Sequence, residues 1–147
     1  MAKFEFRLAG VLNLREKLEK QKEQEYAKAL KKLEEERLKE KLLRDHKDVC
    51  VNTLAELMED RLDPPEMVRY NDFIEVLKER ISLQVLAVNT AAQKAEDKRL
   101  ELVEAMKARK TLERLREQAL EEFIEEEKHS EQKQVDQVVS YRYAKNI

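Results

Sequence analysis

From Met67 onward, steps alternating three and four residues visit Met67, Tyr70, Ile74, Leu77, Ile81, Gln84, Val88, Ala91 and Ala95. They continue through Lys98, Leu102, Ala105, Arg109, Leu112, Arg116, Ala119 and Phe123. Thirteen of these 17 positions are apolar, with Gln84, Lys98, Arg109 and Arg116 the exceptions. An apolar repeat of this period, sustained so far, predicts a long helix with a coiled-coil seam. Three of its polar intruders fall in the distal half, where a weaker or wetter seam is expected.

The first half is less regular. Val11, Leu14 and Leu18 keep heptad spacing, but Gln21 and Glu25 then fall where apolar residues belong. Tyr26, Leu30 and Leu33 resume the stripe, and Leu43, Cys50, Leu54 and Leu57 extend it. These skips read as stutters, which locally unwind a supercoil without ending the helix.

A second apolar row follows residue 66. Phe73, Val76, Leu83 and Ala87 lie beside the seam residues Ile74, Leu77, Ile81 and Val88. A helix in a two-helix hairpin buries one stripe, so this second row is expected to stay exposed unless a partner covers it. Phe73, a large aromatic off the seam, is the natural anchor.

The breakers then set the topology. The 147 residues contain two Pro and one Gly, and both prolines are adjacent, at Pro64-Pro65. Pro64 pushes Asp63 out of the helical region, the geometry of an N-cap, and Pro65 is tolerated in a first turn. Glu66 completes a capping-box-like pattern. The expected fold is all-α: a long antiparallel two-helix coiled coil in one elongated domain. Its helices run over about 8–62 and 66–140, with a turn at 63–65 and a tail at 141–147. At about 1.5 Å per residue these span roughly 80 and 110 Å, so the second helix overhangs the first.

Composition narrows the chemistry. Charged residues make up 42% of the chain and aromatics 5%, the profile of a long helix or coiled coil. The net charge of −2 comes from interspersed acids and bases, so no phosphate-binding stripe forms and no nucleic-acid partner is expected. The lone Cys50 fits a reducing compartment, and no signal or membrane-spanning run is seen, which predicts a cytoplasmic protein. A two-helix rod encloses no dry pocket, so no enzyme is predicted. Glu126 and His129 form one Glu-x-x-His spacing, but a di-iron site needs two such motifs plus further glutamates. No metal or cofactor is expected. With Gly10 as the only glycine there is no phosphate-cradling loop.

At the N-terminus Phe4, Phe6 and Leu8 alternate ahead of the helical pattern, with Phe123 opposite them in an antiparallel hairpin. That cluster either closes the rod end or receives a partner.

These residues carry a resemblance. Phe4-x-Phe6-x-Leu8-x-x-Val11-Leu12-x-Leu14-Arg15-Glu16 resembles the opening of the flagellar export protein FliJ family. Tyr70-Asn71-Asp72-Phe73-Ile74-x-x-Leu77-x-x-x-Ile81 is similar to the family's segment after the turn, and Lys133-Gln134-x-Asp136 with Arg142 to its closing pattern. The resemblance implies a soluble component of the flagellar type III export apparatus, peripheral to the membrane only through the export gate. It implies three partners: the hexameric export ATPase FliI, the cytoplasmic domain of the gate protein FlhA, and export chaperones. By motif alignment gate binding falls on Phe73, Leu77, Arg80 and Gln84, the last two standing where family members can carry a small residue and a His. Contact with the ATPase ring falls on Phe4, Phe6, Leu8, Arg15, Phe123, Asp136 and Arg142. The alternatives are a holdase-like chaperone or scaffold gripping clients with its apolar tips, and a self-assembling filament rod.

Overall fold

A computed structural model describes residues 2–60 and 63–146. Two helices account for nearly all of them: α1, Ala9–Glu59 (51 residues), and α2, Pro64–Lys145 (82 residues), with no strand among the described residues. The fold is an all-α antiparallel hairpin. Leu62, the expected end of the first helix, lies outside the described residues. The second helix begins at Pro64 itself. The Asp63 carbonyl accepts hydrogen bonds from the amides of Glu66 (3.0 Å) and Met67 (3.2 Å), as the residue before a first helical turn does. Pro64 and Pro65 lose nothing there, because first-turn amides have no intrahelical acceptor. Glu66 in the first turn and Arg142 and Lys145 in the last complement the helix dipole.

By its contacts the chain divides into two units, Gln21–Leu102 and the pair Met1–Lys20 with Val103–Ile147. In the Gln21–Leu102 unit the core has two clusters. Cys50, Ile74 and Leu77 pack with Leu43, Leu54 and Tyr70, and Ala29, Leu33, Ala91 and Ala95 pack with Val88 and Ala92. Leu77 is the one large side chain with no exposure at all among the described residues.

Of the 17 seam positions predicted on α2, 16 are buried or half-buried and only Arg116 is exposed. The α1 pattern differs from its expectation. Lys22, Tyr26, Ala29, Leu33, Glu36, Glu40, Leu43, Lys47, Cys50, Leu54 and Leu57 are all buried or half-buried, in unbroken steps of four and three. Between Lys22 and Leu57 there is no stutter. Leu30 points outward and Ala29 takes the seam, while in the other unit Leu12 is buried and Val11 and Leu14 are exposed. The seam looked interrupted because charged residues occupy several of its positions.

Those charges are matched across the hairpin. Within Gln21–Leu102, Lys22, Glu25, Lys98 and Glu101 close a four-membered ring of ion pairs at 3.3–3.6 Å. Glu36, only 7% exposed, accepts from Gln84 Nε2 at 2.6 Å and pairs with Lys32 at 2.9 Å and Lys39 at 3.4 Å. In the unit built from the two chain ends, Arg109 donates to buried Glu19 and pairs with Glu113 at 2.8 Å. Each half-buried polar intruder on the α2 seam therefore has an α1 counterpart, and buried polar groups need partners.

Candidate partner-binding surfaces

In the Gln21–Leu102 unit, α2 carries a second stripe along its outer flank. Arg69, Phe73, Val76, Arg80, Leu83 and Ala87 follow steps of four and three, the period that keeps residues on one helix face. All but the half-buried Ala87 are exposed. Phe73, at 38% exposure, stands against α1, its ring edge-on to His46 with centroids 5.3 Å apart and planes inclined by 65°. Arg69 and Arg80 bracket Phe73 and Val76 along the stripe, adding basic charge to its apolar surface.

The four residues aligned with gate binding are therefore placed differently from one another. Phe73 and Arg80 are exposed. Leu77 is not a surface residue: at 0% exposure it lies in the core beneath them, because its position on the seam turns it toward Cys50 and Ile74. The Gln84 amide is committed to Glu36, donating to its backbone carbonyl at 2.8 Å as well as to its carboxylate. Lys32 and this amide hold the Glu36 carboxyl down, from the ordinary 4.5 to about 2.

The other unit holds a groove. Residues 2–6 have no regular structure, and Phe4 packs on Phe123 with ring centroids 5.5 Å apart. Phe6, Leu8, Leu115 and Ala119 complete the apolar walls of a cavity of about 410 Å³, with Glu122 and Glu126 on its margin. Phe4, Phe6, Leu8 and Phe123 thus converge on one place, by local closure that leaves an open apolar cleft. Arg15 is exposed and does not line it.

Beyond Glu127 every described residue of α2 is exposed. Asp136 accepts from Gln132 at 3.2 Å, and Arg142 shares an exposed stripe with Gln134, Val138 and Tyr141 that has no second wall among the described residues. Asp136 and Arg142 are thus accessible but separate from the Phe4–Phe123 cleft. Among the described residues no cluster of three or more His, Cys, Asp or Glu is arranged to hold a metal ion, and no helix is long and apolar enough to cross a membrane.

Sequence reasoning missed His46, which has no periodic signal, and Arg69, which gains meaning only as the first member of the Phe73 stripe. It also missed the role of Glu36, legible only once α1 is set in register against Gln84.

The family model described as flagellar FliJ protein matches residues 4–147 of the chain. No curated sequence matches it. Among solved structures, a YscO homolog from Chlamydia trachomatis is similar in fold, at 20% identity over 96% of each chain and a TM-score of 0.51.

Proposed function

The chain belongs to the FliJ family, and from that premise we propose that it is a non-catalytic coupling rod of flagellar type III export. Its Phe4–Phe123 cleft docks in the pore of the FliI ATPase ring and favours ring assembly. Its Phe73 stripe engages the cytoplasmic domain of the gate protein FlhA, and export chaperones are further partners. The protein acts in the cytoplasm and reaches the inner membrane only through the gate complex.

The observation that carries this reading is the Phe73 stripe. Phe73, Val76 and Leu83 are apolar residues left exposed on a helix whose adjoining seam, Ile74 and Leu77, is buried against α1. Contiguous exposed apolar surface edged by charge marks a protein-interaction face. Arg69 and Arg80 suit a partner pocket that is apolar inside and acidic at its rim. Leu77 supports this face from below.

The mechanism is linkage. A rod that binds the assembled ring and not its separate subunits stabilises the ring by mass action, more strongly as free rod exceeds its dissociation constant. The test is the ATPase rate of dilute FliI with and without the rod. Marked stimulation that fades as FliI concentration rises is expected. No stimulation by folded protein would sink the shaft role.

A second reading, a holdase-like chaperone, draws on the exposed α1 row Leu38, Leu42 and Val49, which the hairpin leaves uncovered. It requires suppressed aggregation of unrelated clients, which a dedicated coupling rod does not produce.

A further inference from the structure

The edge-on contact between His46 and Phe73 joins two helices at the one exposed aromatic of the gate-facing stripe. His46 lies on α1, outside every segment aligned with gate binding. It is itself exposed and adds nothing to the seam. We infer that the docking face is composite, with His46 of α1 as a positioning residue that presents Phe73 to the partner; this rests on the gate-docking reading above.

An exposed Phe samples several rotamers, and a partner that captures it must freeze them, at a cost that preorganisation removes. A ring edge against one side of Phe73 restricts that sampling before binding. Tilted aromatic pairs at this separation are favoured by the quadrupoles of the two rings. The part of Phe73 that stays exposed, 38%, is left for the partner. Beneath it the backbone is rigid, because Leu77 and Ile74 on the adjoining turns are buried against Cys50. The floor is thus the shared core of both helices, Ile74 and Leu77 of α2 against Cys50 of α1, while the side wall comes from α1 alone.

The sequence around His46 agrees with a role that is not packing. Its neighbours Leu43 and Cys50 carry the seam, whereas His46 stands on the flank. It belongs to neither core cluster of the unit, so a loss of binding in the variant cannot be attributed to a weakened core.

The experiment is a double-mutant cycle read by calorimetric titration of the full-length chain with the purified cytoplasmic domain of FlhA. His46→Ala is expected to weaken binding about two- to tenfold, the span of one aromatic pair, with the melting curve unchanged. His46→Phe, which keeps a ring edge, is expected to restore it. In the Phe73→Ala background, His46→Ala is expected to change nothing further, since its effect passes through that ring. A strong loss with Phe73→Ala beside unchanged binding with His46→Ala overturns the inference alone. Additive losses overturn it too, because His46 would then meet the partner directly. Unchanged binding with Phe73→Ala overturns the gate assignment and this inference with it.

Discussion

Leu77→Ala separates core from contact more sharply than any other single change. Leu77 is wholly buried, packed with Cys50 and Ile74 and flanked by Leu43, Leu54 and Tyr70. Truncation removes three carbons, about 2.5 kcal/mol of transfer free energy at roughly 0.8 kcal/mol per methylene. A cavity adds to this, but a two-helix layer has solvent on both sides and its flanking leucines can close in. The expected cost is therefore about 2–3 kcal/mol, the lower half of the range for buried leucines. For a chain of this length that lowers the melting temperature by roughly 5–10 °C. Phe73→Ala deletes a ring already partly in water and is expected to cost about 1 kcal/mol or less. Melting followed by far-UV circular dichroism, with FlhA titrations made well below both midpoints, reads the two effects apart. Leu77→Ala should melt early yet bind once folded, and Phe73→Ala should do the reverse. A Leu77→Ala variant with near-wild-type melting and no gate binding would refute the reasoning, since Leu77 would then be a contact that the hairpin opens to deliver.

Four further outcomes are expected. Because Glu36 is held at about 2 from an ordinary 4.5, its depressed folded value adds stability that is complete above pH 4.5 and lost as pH falls toward 2; Glu36→Gln should flatten that limb of an acid titration of stability. Arg109→Leu alone leaves Glu19 buried without its cross-helix partner and should melt lower, whereas Glu19→Leu with Arg109→Leu should recover most of the loss. Gly10→Ala meets nothing within 4 Å of the added carbon and should raise stability by about 0.5 kcal/mol in urea unfolding, through reduced freedom of the unfolded chain. Deleting residues 2–8 together with everything beyond Phe123 should abolish stimulation of dilute FliI, and undiminished stimulation would move the ring contact elsewhere.

The second helix was nearly transparent to periodicity, because its seam is mostly apolar and each turn confirms the last. The first was not, although its seam is just as regular. Lys22, Glu36, Glu40 and Lys47 sit on that seam, and a count of apolar residues discards them, so Leu30 seemed a better fit than Ala29. The lost signal was relational. Glu36 makes sense only beside Gln84, Glu19 beside Arg109, and Lys22 with Glu25 beside Lys98 and Glu101. Of the candidate surfaces, Phe73 was legible because an aromatic off the seam stands out on a helical wheel. Its contact with His46 was not, since it depends on the register of two helices far apart in sequence. Leu77 is the reverse case: position on the seam marked it as core, motif alignment marked it as contact, and the structure places it in the core.

The polar pairs also fix what this hairpin can do as a measuring device. In the Gln21–Leu102 unit both seams repeat every seven residues, and the Glu36–Gln84 contact and the four-charge ring pin one helix against the other. Seven residues inserted into α1 alone would slide every such pair out of step. Seven added to both helices at facing levels would restore them all, lengthening the unit by about 10 Å. The spacing between the Phe73 stripe and the charge ring is therefore adjustable in discrete increments, with neither end redesigned. A hairpin built this way can be cut to length one matched pair of heptads at a time.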